Sequence, residues 1–450
     1  MTSAVVVFTR DLRVTDHPAL AAAVASAERV VPLFVFDDAL LAGCADHANR
    51  LGFLLESLAD LDRSLRDRGG ALVVRRGRWA ETVAEVAREA GAGAIHMSAD
   101  VSGFAARRRA RLEKEAAAAG VSVHAHPGLF VIEPGAVKPP GGSFYQVFTP
   151  YYRRWQDAPR RARAAAPREI RLPGRVRHGT LPKLGELTRA GRGPGVGLAG
   201  GETAGRAALR AWVRDHLADY EQTRDVLAGE TSRLSPYLHL GCLSPAAVAA
   251  HLSAQPGGEA FVRQLAWRDF FHQVLAARPE TASADYRSRG DRWHTDADAL
   301  AAWQAGQTGF PVVDAAMRQL AAEGFMHNRA RMIVASFLTK DLYLDWRAGA
   351  AHFRRHLLDG DVACNQLNWQ WVAGTGTDTS PHRVFSPVRQ GQRFDPDGAY
   401  VRRWVPELAG LPAREIHDPG PAARRACGYP PPLVDHAEAV AAYRQRLHHA

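Results

Sequence analysis

The sequence predicts an α/β domain followed by an all-α domain, the first built as a doubly wound parallel sheet. Three observations carry this expectation. Over the first 130 residues, short apolar β-type runs alternate with longer stretches of helical period. From about residue 131 to 200 that regularity fades. Beyond residue 201, helical spacing continues with no strand-like alternation.

Strands are expected at 4–8, 30–36, 71–74, 94–97 and 121–124, where Val, Ile, Leu and Phe cluster. A helix is expected at 51–68, because Leu54, Leu55, Leu58, Leu61 and Leu65 recur on one helical face. Strand–helix alternation implies a parallel sheet, since each helix carries the chain back to start the next strand. The first strand–helix turn, Thr9 to Asp16, holds no G-x-G-x-x-G, and no Walker loop occurs anywhere. A standard dinucleotide or nucleoside triphosphate site is therefore not expected here. Pro139, Pro140, Gly141, Gly142, Pro159, Pro167, Pro173 and the glycines of 191–197 then punctuate the chain. This marks a long connection, and its arginines between Arg153 and Arg177 read first as a solvated linker. The expected division is an α/β domain at 2–130, a linker at 131–200 and a helical domain at 201–450.

A chain of 450 residues exceeds one ordinary core. With 46% hydrophobic and 23% charged residues it is not a disordered chain. No apolar run is long enough to span a bilayer. The start lacks a basic leader and a cleavage site, so a cytoplasmic location is expected. Cys44, Cys242, Cys364 and Cys427 are scattered without a C-x-x-C pair, which argues against disulfides or zinc. The net charge of +10 favours a polyanionic partner, though a nucleic acid, an anionic membrane surface or plain arginine richness would all give it.

Four segments of the helical part could carry chemistry. Thr231, Ser232, Arg233, Leu234 and Ser235 follow Tyr220 and Arg224, and small hydroxyls beside an arginine at a helix entrance suit an anion. A simple helix cap suits the same residues. In the second segment Gln264, Trp267, Arg268 and Phe271 share a helix face, fit for a planar hydrogen-bonding ligand beside a phosphate or for a half-buried core. The third is Met326 to Met332, where Asn328, Arg329 and Arg331 open an apolar helix. Arginines there need phosphate or a paired carboxylate to offset desolvation. In the fourth, Asp361, Asn365 and Trp369 follow four-residue spacing after Asp359 and Gly360, while Trp371 points elsewhere. A metal role for the two aspartates lacks further oxygen ligands.

Together these stretches resemble the photolyase/cryptochrome family, most of all its class I cyclobutane pyrimidine dimer photolyases. The matching motifs are Arg10-Asp-Leu-Arg13 with Asp16, Thr231 to Ser235, Trp267-Arg-Asp-Phe270, Gly309 to Arg318, Met326-His-Asn-Arg329, Asp359-Gly-Asp361 and Trp369 to Asp378. The resemblance implies an α/β antenna domain, a linker and a helical FAD domain. It implies light-driven repair in which photoexcited FADH⁻ gives an electron to a dimer flipped out of UV-damaged DNA. Tyr220, Thr231, Ser232, Arg233, Leu234 and Ser235, with Phe261 and Arg268, would hold FAD. Arg331, Asp359, Gly360 and Asp361 would line its flavin side, and Asn365 would face N5. Trp369, Trp346 and Trp293 match the family's electron-transfer chain, whereas Trp303 sits in a different motif. Gln264, Trp267, Asn328, Arg329, Met332 and Trp371 map to the lesion pocket, and Arg224 to the DNA backbone.

Two departures bear on these expectations. Gln264 stands where dimer photolyases usually carry glutamate, and glutamine there also occurs in (6-4) photolyases and animal cryptochromes. Asn328 and Met332 occupy positions where (6-4) enzymes carry histidines, and His327 does not replace them. Arg50 and Asp100 match contacts of a deazaflavin antenna, so 8-hydroxy-5-deazaflavin is favoured over methenyltetrahydrofolate as a second chromophore. His239, lysine in some relatives, leaves folate or no antenna open. A cryptochrome-type photoreceptor is the main alternative function, and a long C-terminal extension usual in such receptors is not expected. A monomer with no protein partner is expected.

Overall fold

Strand β1 spans Ser3–Phe8, and its Val5, Val6 and Val7 are fully buried. A strand covered on both faces reads as one apolar run, which is the mark of a central strand. The partners are β2, Arg29–Asp37; β3, Val73–Gly77; β4, Ala92–Ser98; and β5, Ser122–His126. All pair in parallel, in the order β3-β2-β1-β4-β5. Val5, Val7, Leu33, Ile95 and Met97 pack with the helix Trp79–Ala90 on one face. The helix Pro18–Ser26 covers the other, where Ser26 reaches His96. The sheet is doubly wound, and the C-terminal region is helical. The computed structural model describes residues 2–44, 47–192, 197–378, 380 and 382–448. Residues 193–196 of the expected 191–197 loop, and 379 and 381 of the Trp369 to Asp378 flank, lie outside them.

Two strands are displaced from their expected limits for identifiable reasons. The backbone N–H of Leu72 is taken by Asp62 Oδ1 at 2.8 Å, so the β3 ladder begins only at Val73. Val121 N donates to Ala116 O at 3.0 Å, closing the preceding helix, and β5 starts one residue later. The leucine-rich helix runs Ala48–Arg66 and is closed by Gly70 N on Leu65 O.

The chain groups into two packing units. One holds the residues up to Arg192, then Leu198–Ala218 and Ser232–Pro279; the other holds Asp219–Thr231 and the residues from Glu280 on. Helices after residue 201 thus contribute to the unit that contains the sheet. Inside that unit Asp269 Oδ2 accepts from Val131 N, Ile132 N and Trp155 Nε1, at 3.1, 2.9 and 3.0 Å. Buried Arg13 donates to Asp16 O, Gly128 O and Gly241 O, joining three distant loops. The second unit has its own core, with Trp303, Phe337, Trp346, Phe353 and Trp369 at its centre. No helix among the described residues is long and apolar enough to cross a membrane.

Candidate flavin and lesion site

The expected residues fall into two sets, one in each packing unit. In the second unit the helix Val362–Ala373 begins where Asp361 Oδ1 accepts from Cys364 N at 2.9 Å. That cap fixes the helical phase. Asp361, Asn365 and Trp369 are then buried to 5%, 9% and 3% exposure on one face, while Trp371 remains half-buried on another. Asn365 Nδ2 donates to Ala350 O at 3.1 Å and to Gln366 Oε1 at 2.8 Å. A backbone carbonyl accepts only, so the amide has one orientation and Oδ1 faces away from Ala350.

Both arginines that open the helix Asn328–Ser336 meet a carboxylate. Arg331 Nη2 lies 3.0 Å from Asp359 Oδ2 and its Nε donates to Met326 O at 2.9 Å. Arg329 Nη2 lies 3.0 Å from Asp225, with its guanidinium 4.4 Å from the Phe394 ring centroid. Of the two partners left open by the sequence, this structure shows the carboxylate. His327 caps the same helix through Nδ1, which accepts from Arg329 N at 3.1 Å. Burial holds the His327 imidazole down at about 4, so it stays a neutral acceptor. Asn328 and Met332 lie one turn apart on that helix. Tyr220 opens the short helix Tyr220–Thr223, which ends on Arg224 N bonded to Tyr220 O at 2.9 Å; burial pushes its hydroxyl up to about 12. Gly360 precedes the Asp361 cap, and Thr231 ends the segment Asp219–Thr231.

Trp369, Trp346 and Trp293 belong to the core of this unit, the first two buried and the third half-buried. Trp369 packs edge-on to Phe353 and Trp303, with centroids 5.0 and 6.1 Å away. Trp346 is fully buried, and its Nε1 donates to Asp285 Oδ1 at 2.8 Å. Trp293 is partly exposed against the same core, 4.9 Å from the Tyr343 ring. Periodicity gave no sign of Asp285 or of Trp303 as neighbours, because both arrive from distant segments.

In the first unit the helix Gly258–Ala277 carries Phe261, Gln264, Trp267 and Arg268. Trp267 stacks flat on Phe148, with centroids 3.7 Å apart and planes 7° from parallel. One face of the indole is therefore covered. Phe148 begins the helix Phe148–Asp157 inside the expected linker, so sequence reasoning missed it. Arg268 Nη1 donates to Leu129 O at 2.8 Å, and Phe261 packs on Trp212 at 4.6 Å. Ser232, Arg233 and Leu234 lead into the short helix Ser235–His239; Leu234 is buried, and Arg233 adopts a left-handed φ of 46°. Asp100 pairs with Arg10 Nε at 2.7 Å and accepts from Ser102 N at 2.9 Å. Arg50 lies in the first turn of the helix Ala48–Arg66.

A family described as "DNA photolyase" matches residues 4–169, and one described as "FAD binding domain of DNA photolyase" matches residues 261–449. The chain is 53% identical to a deoxyribodipyrimidine photo-lyase of Streptomyces griseus, over 99% of both chains. It is 37% identical to a cryptochrome DASH of Natronomonas pharaonis, over 97% of this chain and 98% of that one. The crystal structure of a bacterial class III photolyase from Agrobacterium tumefaciens matches with a TM-score of 0.92 at 33% identity, covering 100% of this chain and 98% of that one. Matched on both segments and along its whole length, the chain belongs to the photolyase/cryptochrome family.

Proposed function

We propose that the protein binds FAD and uses light to repair cyclobutane pyrimidine dimers in DNA. The observation that carries this reading is the 53% identity, end to end, with a deoxyribodipyrimidine photo-lyase. The residues present fit the cofactor: Asn365 Oδ1, turned away from Ala350, is an acceptor suited to the N–H at flavin N5. An amide there orients the ring without adding a charge. Arg331 and Asp359 neutralise each other beside it, and Gly360 and Asp361 complete that side. Tyr220, Thr231, Ser232, Arg233, Leu234 and Ser235, with Phe261 and Arg268, take the phosphates and ribityl chain. Reduced FAD, when bound and illuminated, would supply the electron that opens the cyclobutane ring and would take it back once the two pyrimidines have separated.

The protein's own part is to present the lesion. A dimer is already poorly stacked, so flipping it out costs less than flipping a normal base. Trp267, backed by Phe148, offers one rigid indole face as a stacking platform. In the second unit we assign Trp371, Asn328, Arg329 and Met332 as lesion contacts, and in the first Gln264 hydrogen bonds the bases as a neutral donor and acceptor. Arg224 contacts the backbone phosphates. Trp293, Trp346 and Trp369 pass electrons inward to reduce the cofactor. Arg50 and Asp100 serve an antenna, 8-hydroxy-5-deazaflavin before methenyltetrahydrofolate. The protein works as a monomer in the cytoplasm.

Illumination of the FAD-loaded protein with oligonucleotides bearing a cyclobutane dimer or a (6-4) photoproduct, followed by product analysis, tests this. Restoration of the dimer alone is expected. Restoration of the (6-4) lesion alone would assign the pocket to that photoproduct, against Asn328 and Met332. A cryptochrome-type photoreceptor is the second reading, favoured by the cryptochrome DASH similarity and by Gln264. Under it the flavin responds to light and neither lesion is restored.

A further inference from the structure

Edge strand β5 carries two histidines for which dimer repair has no use. His124 and His126 are two residues apart, so both project from one face of the sheet. The ladder sets His96 of β4 directly opposite His124. Three imidazoles therefore share the face covered by the helix Pro18–Ser26. The His96 ring centroid lies 5.2 Å from His124 and 5.1 Å from His126, and His96 Nδ1 sits 2.9 Å from His126 Nε2.

Two serines decide which nitrogens are bare. Ser26 donates its single hydroxyl proton to Ala23 O at 3.1 Å, so it can only accept from His96 Nε2 at 3.3 Å. The His96 proton is thus on Nε2, and Nδ1 presents a lone pair. Ser122 repeats the device: it donates to Gly93 O at 3.2 Å and accepts from His124 Nε2 at 2.9 Å. His124 Nδ1 is bare as well. A hydrogen bond on the far nitrogen is the usual way a protein orients a metal-ligating imidazole. His17 is otherwise committed, with Nδ1 accepting from Leu20 N at 3.0 Å and Nε2 3.1 Å from Asp11. Because β5 is an edge strand and His124 is exposed, an ion has a path in.

We propose that His96 Nδ1, His124 Nδ1 and His126 Nε2 form a site for a divalent transition ion of the Zn²⁺ class, with solvent as the fourth ligand. Three imidazoles with no carboxylate select borderline ions over Mg²⁺ or Ca²⁺. Binding exchanges the His96–His126 hydrogen bond for two coordinate bonds, moves the His126 proton from Nε2 to Nδ1 through solvent, and requires exposed His124, stacked 5.2 Å from His96, to turn its Nδ1 towards them. The ion ties edge strand β5 to β4.

Calorimetric titration of tag-free, chelator-stripped holoprotein with Zn²⁺ tests the site, together with its thermal unfolding. One equivalent should bind saturably and raise the unfolding temperature. Mg²⁺ should do neither. His124→Ala and His126→Ala should each abolish the stabilisation, and Ser26→Ala, which frees the far nitrogen of His96 along with Ala23 O, should weaken binding about tenfold. Absence of saturable Zn²⁺ binding by the unsubstituted protein overturns the proposal, as does full stabilisation surviving in a His124→Ala, His126→Ala double variant.

Discussion

At the scale of single residues, hydrogen-bond polarity decides what Asn365 can do. Ala350 O and Gln366 Oε1 both require a donor, and Asn365 Nδ2 supplies it. Asn365→Asp would set oxygen against oxygen in a buried place. The expected loss is about 1–3 kcal/mol of stability, read from urea midpoints, with less FAD retained on purification. An unchanged midpoint would show that the amide orientation does not matter. Trp369→Phe keeps an aromatic ring in the core and removes the oxidisable indole. Photoreduction of oxidised flavin should slow by about tenfold or more, while dimer repair by protein reduced beforehand stays unchanged. Equal loss in both assays would make Trp369 a packing residue and not a relay.

At the scale of elements, the helix Val362–Ala373 depends on how closely its neighbour Trp346–His356 can approach. A Cβ at Gly349 would meet Trp369 Cη2 at 2.2 Å and Leu338 Cδ2 at 2.6 Å. Gly349→Ala must push Trp369 aside, at a cost of about 1–3 kcal/mol, and should slow photoreduction in parallel; circular dichroism melts and flash photoreduction rates together check this. Wild-type values for both would mean that the helices separate without moving the indole. Such elements were legible in the sequence to the extent that their signal is local. The four-residue spacing of Asp361, Asn365 and Trp369 places them on one face, and the apolar run at 4–8 marks a strand. The late start of β3 was not legible, because it depends on an Asp62 carboxylate from another element. Nor was the Asp225 partner of Arg329, or the Phe148 ring beneath Trp267. Contacts between distant segments leave no period behind. Composition and helical spacing also drew the linker at 131–200 and the helical domain from 201, whereas packing groups Gly258–Ala277 with the sheet.

At the scale of the whole molecule, buried imidazoles set the response to acid. Burial holds His96 and His327 at about 4 and His352 at about 3. Their unfolded value is about 6.5, so below it the unfolded chain binds protons that the folded one refuses. The stability they contribute is complete above that value and is lost as pH falls towards 4. Glu133, raised to about 7 by burial, works in the opposite sense, holding its proton in the folded state between its ordinary value and 7. Burial raises Asp269, Asp314, Asp341 and Asp395 as well, in the same sense as Glu133. The histidine share is therefore read by difference: acidification from pH 7 to pH 5 should destabilise His352→Gln less than the unsubstituted protein in urea midpoint, and an identical response would show that His352 is solvated. The net charge of +10 bears on binding, since DNA affinity should fall linearly on a log–log plot against salt. The central claim is that light absorbed by a bound reduced flavin breaks a dimer held in the protein. Its most direct measurement is a single-flash experiment on the purified, reduced protein mixed with an oligonucleotide carrying one cyclobutane dimer. The account predicts that pyrimidine absorbance recovers after the flash and stays flat in darkness. Protein that takes up no FAD, or that takes it up and leaves the dimer intact under light, would contradict it.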